Sequence, residues 1–155
     1  MKVFDVMKSN AFTLKKENTI LDVMKMMKEK DIGFVIIEEN NEAIGIITDR
    51  DIVLSLAKEI SVNTAIAKIM KKYVITIKET DDVTTASDMM GYMQVRRLVV
   101  TNDDNKITGV ISITDLLRHS LTEESALEAM IEISYNYSTK DESNDILLQT
   151  KAFIF

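Results

Sequence analysis

Apolar positions along this chain follow two rhythms, and the pair of rhythms occurs twice. Over residues 19–30, Ile20, Val23, Met24 and Met27 recur every three or four places, with Lys25, Lys28 and Lys30 facing away. That spacing predicts an amphipathic helix. Gly33 is expected to end the helical region, and Phe34-Val35-Ile36-Ile37 then reads as a short buried strand. Asn40-Asn41 signals a turn. Residues 43–47 predict a second strand, and 49–58 a second helix with Ile52, Val53 and Leu56 directed inward. The pattern returns as a helix over 82–93, strands over 97–101 and 106–111, and a helix over 113–120. A short helical segment (3–8, then 66–71) and a short strand, around Thr13 and then Thr76, precede each set. The order in both is β-α-β-β-α.

The recurrence extends to individual residues. Val6-Met7-Lys8 returns 63 positions later as Ile69-Met70-Lys71, and the same offset relates Thr13 to Thr76, Lys15 to Lys78, Met26 to Met89 and Met27 to Met90. One extra residue enters the polar turn at 102–106. Beyond it the offset is 64, relating Gly45 to Gly109, Ile47 to Ile111 and Asp51 to Asp115. A unit of about 55 residues buries too little surface to fold comfortably alone, so two copies packed together are the expected folding unit. The expected organisation is a first copy over 1–60, a second over 61–119, and a tail over 120–155.

The tail departs from the repeat. Residues 122–135 predict an acidic amphipathic helix with Ser120 or Thr122 as N-cap and acids in its first turn. Leu127, Met130, Ile131 and Ser134 would share one face. A polar stretch at 138–145 reads as a loop. Ile146-Leu147-Leu148 and Ala152-Phe153-Ile154-Phe155 are apolar up to the last residue, a surface that should be covered by the same module or by a partner subunit.

Composition removes several chemistries. The chain has no cysteine, which excludes disulfides, thiol catalysis, zinc fingers and iron–sulfur clusters. A single histidine, His119, excludes a histidine-rich metal centre; following the last helix of the second copy, it reads as a capping or surface residue. No nucleophile stands with a base, and only four glycines leave no phosphate-cradling loop, so no catalysis is expected. Of ten methionines, six (Met24, Met26, Met27, Met89, Met90 and Met93) cluster on the two long helices and read as packing of a core or of a dimer interface. No apolar run approaches the roughly 20 residues of a membrane helix, and the first residues carry charge where a signal peptide carries its apolar stretch. These features predict a soluble, cytoplasmic protein.

Charge is uneven. Residues 120–155 hold seven acids and two lysines, while the first 119 hold eighteen acids and seventeen bases. The nearly neutral body could hold an anionic ligand in a local basic pocket. Its only basic clusters are short pairs such as Lys71-Lys72 and Arg96-Arg97, so no nucleic-acid partner is expected.

The sharpest local pattern is Gly45-Ile46-Ile47-Thr48-Asp49-Arg50-Asp51 and its echo Gly109-Val110-Ile111-Ser112-Ile113-Thr114-Asp115. Each is a strand ending in a hydroxyl residue, with an aspartate three places later in the first turn of a helix. That spacing puts both side chains on one side of the strand-to-helix corner. A carboxylate only accepts hydrogen bonds, so it can take two from adjacent hydroxyls such as a ribose diol. The Thr48 or Ser112 hydroxyl, with free amides at the helix start, could hold a phosphate. Ser/Thr-x-x-Asp is equally a capping box that satisfies helix-start amides. The two roles are compatible.

With these residues in place, the chain resembles tandem CBS motifs, named after cystathionine β-synthase, a pair of which forms a Bateman module. Val6-Met7-Lys8 and Ile69-Met70-Lys71 resemble the family's opening, Asp31-Ile32-Gly33 and Gln94-Val95-Arg96-Arg97-Leu98 its segment before the central strand, and Thr48-Asp49-Arg50-Asp51-Ile52 its ending. The resemblance covers 1–119. It implies an α+β fold of two β-α-β-β-α motifs related by a pseudo-two-fold, with the acidic helix and tail appended. It also implies a regulatory module that binds AMP, ADP, ATP or S-adenosylmethionine in clefts between the motifs, requires no cofactor, pairs into homodimers and passes the ligand state to a protein partner, without membrane attachment. Residue by residue, Asp51 and Asp115 would hold ribose, Thr48 and Ser112 would sit near ribose and phosphate, and the strands at Phe12-Thr13 and Ile75-Thr76 would contact adenine, partly through backbone. Arg50, Arg97 and Arg118 are the candidate phosphate ligands. Ile36 and Val99 stand where the family often carries proline, and Arg97 where many relatives carry an aromatic residue or histidine.

Overall fold

A computed structural model describes residues 1–119 and 123–135. The polar stretch at 138–145, the apolar residues from 146 to 155 and the proposed N-caps Ser120 and Thr122 lie outside the described residues. The described residues divide into two compact units, Ala11–Val74 and Met1–Asn10 together with those from Ile75 onward.

In the unit Ala11–Val74, strand β1 (Thr13–Leu14) is followed by helix α1 (Ile20–Lys30), strands β2 (Phe34–Glu39) and β3 (Glu42–Thr48), and helix α2 (Asp49–Ala57). The sheet order is β1-β2-β3, with β1 parallel and β3 antiparallel to β2. Thr19 caps α1 by accepting from the Asp22 amide, and the Asp22 carboxylate accepts from the Thr19 amide at 2.8 Å. Asp31, in the left-handed region at φ 53°, ends the helix. Gly33 was expected to do so, but it has no positive φ. It lies instead against the first turn of α2: a Cβ there would meet a carboxylate oxygen of the exposed Asp49 side chain at 2.8 Å, and the Gly33 carbonyl accepts from the Asp49 amide. Asn40 and Asn41, both at positive φ, form the turn that joins β2 to β3. Ile20, Val23, Met27, Val35, Ile37, Ile47 and Ile52 make the core, with Met24 and Met26 packed at its edge. On α2 only Ile52 of the three expected apolar residues points inward. Val53 and Leu56 are exposed, because the helical period that turns Ile52 to the core also turns in Asp51 and Ser55.

The other unit repeats the plan with β4 (Thr76–Lys78), α3 (Val83–Met93), β5 (Arg97–Thr101), β6 (Ile107–Ser112) and α4 (Ile113–Leu117). The sheet order is β4-β5-β6 with the same senses of pairing. The additional residue lies in the turn after β5, where Asn105 takes a positive φ and Lys78 Nζ donates to the Asn102 carbonyl at 2.6 Å. Helix α4 stops at Leu117, three residues short of the expectation.

The final described helix, α5 (Glu123–Tyr135), joins this second core through Ala126, Ala129 and Ile133. That corrects the expected face: Leu127, Met130, Ile131 and Ser134 are exposed. Small residues are inward because α5 lies close on α3, where a Cβ on Gly91 would come within 3.3 Å of Ala129 Cα.

The units cut across the expected segments 1–60 and 61–119. The segment leading into each copy packs in the other copy's unit. Ile66 is fully buried in the first core and its amide donates to the Asn18 carbonyl at 2.8 Å. Val3 is fully buried in the second core, its amide on the Asp81 carbonyl at 2.9 Å. Among the described residues no helix is long and apolar enough to cross a membrane.

Candidate functional site

Each unit has a corner where its last strand turns into a helix, and the two corners are built alike. Strand β3 ends at Thr48, whose Oγ1 accepts from the Asp51 amide at 3.3 Å. Asp51 returns the bond: its Oδ2 accepts from the Thr48 amide at 2.8 Å and from the Thr48 hydroxyl at 2.6 Å. At the second corner Ser112 Oγ accepts from the Asp115 amide at 3.3 Å, and Asp115 Oδ2 accepts from the Ser112 amide at 3.0 Å and from its hydroxyl. Both aspartates are buried. The capping alternative is therefore realised at both corners, and it leaves the second oxygen, Oδ1, pointing elsewhere.

That oxygen meets a lysine in each case. Lys71 Nζ lies 3.1 Å from Asp51 Oδ1, and Lys8 Nζ lies 3.2 Å from Asp115 Oδ1. The lysines occupy matched positions of the repeat, and the exchange of leading segments decides the pairing: Lys71 serves the first-copy corner and Lys8 the second. Backbone bonds fix them. The Lys71 amide and carbonyl exchange hydrogen bonds with Ile46, two residues before Thr48, and Lys8 does the same with Val110, two residues before Ser112. This close approach explains the glycine that opens each motif. A Cβ at Gly45 would meet Lys71 O at 3.0 Å and Met70 Sδ at 2.8 Å; one at Gly109 would meet Lys8 O at 2.5 Å and Met7 Sδ at 3.0 Å.

The expectation of free helix-start amides is corrected at the first corner. The Asp49 amide donates to the Gly33 carbonyl at 3.1 Å, the Arg50 amide to Asp49 Oδ1 at 2.7 Å, and the Asp51 amide to Thr48. At the second corner the Ile113 amide donates to the Arg96 carbonyl at 2.9 Å. The Thr48 hydroxyl spends its single proton on the aspartate, so toward a ligand it can only accept, while the Ser112 hydroxyl is bonded both to Asp115 and to Thr114 Oγ1 at 2.8 Å. An anion at the first corner would therefore be held by cationic side chains.

The candidate arginines differ in placement. Arg118 Nη1 is 3.8 Å from Asp115 Oδ1. Arg97 starts β5 directly across the ladder from Ser112, which puts it beside the second corner. Arg50 is exposed in the first turn of α2. The matched neighbour across from Thr48 is Phe34, which sequence reasoning left out of the site. Phe12, Thr13 and Ile75 are half-buried and Thr76 is exposed. Each of these strands lies on the far side of its central strand, two strand spacings (about 9–10 Å) from the corner-bearing strand. The Phe12 carbonyl accepts from the Ile36 amide at 3.0 Å and the Ile75 carbonyl from the Val99 amide at 3.1 Å. Proline at 36 or 99 would have no N–H to give.

The most consequential omission from the sequence reading is Lys8 and Lys71. Their recurrence at an offset of 63 was visible, but each stands far along the chain from the aspartate it meets.

The description "CBS domain" matches this chain twice, over residues 3–58 and 66–122. The chain belongs to the CBS domain family, and its tandem β-α-β-β-α units are those of a CBS domain pair. It is similar to an uncharacterized 17.7 kDa protein in the bps2 3′ region of Acidianus ambivalens, 35% identical over 118 residues, covering 76% of this chain and 71% of the relative. Among solved structures it shares its fold with CBS domain protein PAE2072 from Pyrobaculum aerophilum, complexed with AMP. There the TM-score is 0.74 and the identity 22%, over 82% of this chain and 98% of that one. It is also similar to the CBS domain pair of protein MJ0100 in complex with 5-methylthioadenosine and S-adenosyl-L-methionine. That match has a TM-score of 0.68 and 25% identity, over 76% of this chain and 94% of that one.

Proposed function

We propose that this chain is a regulatory module that binds an adenosyl ligand, AMP, ADP, ATP or S-adenosylmethionine, and passes its ligand state to a partner. The observation that carries this reading is the duplicated corner. Each unit holds a buried carboxylate with one oxygen pinned by a capping box and the other turned away from it, at matched positions after a glycine-led strand. One oxygen fixed by the backbone gives the other a defined direction, as a receptor for a sugar diol requires. The MJ0100 pair, with its adenosyl ligands, supports the choice of ligand class. In this reading Asp51 and Asp115 accept from ribose, Phe12, Thr13, Ile75 and Thr76 line the adenine side, and Arg50, Arg97 and Arg118 contribute positive charge. The module acts by binding; it is cytoplasmic and works as a homodimer.

Thermal unfolding of the full chain with each ligand tests the reading. Ligand at a hundred times Kd adds about 2.7 kcal/mol, several degrees for a chain of this size. An unmoved Tm with AMP, ADP, ATP and S-adenosylmethionine contradicts it, and so does turnover of ATP by the pure protein.

A second reading has its own support. Val53, Leu54 and Leu56 on α2 and Leu127, Met130 and Ile131 on α5 are exposed apolar side chains, as a dimerisation or docking module with empty ligand sites would present. It predicts a stable dimer whose Tm ignores every nucleotide, and a monomeric mass in solution would sink it.

A further inference from the structure

We infer that Lys8 and Lys71 are exchangeable counter-cations. Each closes the ribose carboxylate of its corner when no ligand is bound and transfers to the ligand's phosphate when one is, so that the corners select nucleotides over neutral adenosine and over cationic S-adenosylmethionine. This rests on the ribose role proposed above and narrows the ligand to a nucleoside carrying a phosphate beside its sugar.

A carboxylate offers about four acceptor positions. At Asp51 two are taken on Oδ2 by the Thr48 amide and hydroxyl, and one on Oδ1 by Lys71. A vicinal diol donates two hydrogen bonds, and the single position left cannot take both. At Asp115 Ser112 fills Oδ2 in the same way and Lys8 is the nearest cation on Oδ1, with Arg118 Nη1 farther off at 3.8 Å. Diol binding therefore requires the ammonium to move aside. Its backbone cannot move with it, because both lysines are bonded in register to the strand that leads into the corner. The long flexible stem can swing while the anchor stays, which keeps the ammonium within reach of whatever is attached to the ribose. A phosphate there replaces the lost ion pair with a charge-assisted bond. Adenosine offers no replacement, and the sulfonium of S-adenosylmethionine brings a like charge toward the ammonium. At the first corner, where the helix-start amides are already bonded, the lysine is the group placed to make the exchange.

The two corners differ in how easily this happens. The Lys71 side chain is 10% exposed and the Lys8 side chain 63%. The Asp115 corner opens at less cost and fills first.

Calorimetric titration of the full chain with AMP, adenosine and S-adenosylmethionine, on the wild type and on Lys8→Met and Lys71→Met, tests the inference. In the wild type AMP binds at least about tenfold more tightly than adenosine or S-adenosylmethionine. In Lys8→Met the ratio of AMP to adenosine affinity falls by about tenfold at one site, with adenosine binding retained or tightened because the carboxylate is released. Lys8→Arg restores the preference. If Lys71→Met does not fold, the exposed Lys8 site decides alone. A ratio unchanged by Lys8→Met, or S-adenosylmethionine binding as tightly as AMP, overturns the inference and leaves the adenosyl reading standing. Binding by none of the three ligands in the wild type overturns the adenosyl reading, and the inference with it.

Discussion

Lys71 Nζ and Asp51 Oδ1 are 3.1 Å apart with both side chains 10% exposed, so this ion pair is sealed from solvent in a way its counterpart between Lys8 and Asp115 is not. Removing one partner of a buried pair strands the other as an uncompensated charge, a cost of about 3 kcal/mol or more. At the second corner Lys8 is exposed and Arg118 Nη1 also stands 3.8 Å from Asp115 Oδ1, so losing Lys8 leaves that carboxylate with a cation beside it and costs about 1 kcal/mol or less. Urea unfolding at neutral pH should show Lys71→Met destabilised by about 3 kcal/mol and Lys8→Met by no more than about 1 kcal/mol. Equal effects would mean that the buried pair is not formed in solution.

The glycine that opens each motif holds the lysine segment against the sheet. At Gly109 a Cβ would come within 2.5 Å of the Lys8 carbonyl, a backbone atom that can yield only if the N-terminal segment withdraws. Gly109→Ala is expected to cost about 1–3 kcal/mol and to raise the hydrogen-exchange rate of the Lys8 and Val110 amides, which pair with each other's carbonyls. An alanine variant with those amides still protected would show that the approach is looser than described.

The exchange of leading segments makes a regional prediction. Val3 belongs to the second-copy core. Val3→Ala should cost about 2 kcal/mol and lower protection in α3 and β5 more than in α1 and β2. The opposite distribution would return the N-terminus to its own copy.

Acid should destabilise the first unit through two carboxylates. Hydrogen bonds from the Thr19 amide and hydroxyl hold the Asp22 carboxyl below its ordinary pKa, chiefly the amide bond. The hydrogen bond from Lys15 does the same for Glu38, helped by the Asn41 amide and opposed by burial. A depressed folded-state pKa means the unfolded chain binds the proton more readily. The stability these groups supply is therefore complete above the ordinary carboxylate range, about pH 4, and is lost as pH falls through the lowered values. Asp22→Asn and Glu38→Gln should flatten the stability profile below about pH 5 while changing it little in shape near neutrality. A variant whose acid limb is as steep as the wild type's would rule that carboxylate out.

Much of this was legible in the chain. Helical spacing located α1 and α3, the Asn40-Asn41 pair its turn, and the doubled Thr/Ser-x-x-Asp both corners. Three features were not. Periodicity shows that a helix has an apolar side but not which residues a neighbour will cover, and so Leu127 and Met130 were expected inward where Ala126 and Ala129 lie, on a helix packed tightly against Gly91. A repeat offset shows that two segments are equivalent but not which core each joins, and so the packing of Val3 and Ile66, each at the head of its own copy, in the core of the other unit was not visible. The lysines were hidden for the same reason: an ion pair between residues 8 and 115 has no local signature.

The most direct test of the central claim is an amide-resolved NMR titration of the full chain with AMP. The account predicts that the first and largest shifts fall on Ser112 and Asp115, followed by Thr48 and Asp51, with the Lys8 and Lys71 side chains leaving their carboxylates as the sites fill. Saturating AMP that leaves all four corner amides where they were would contradict it.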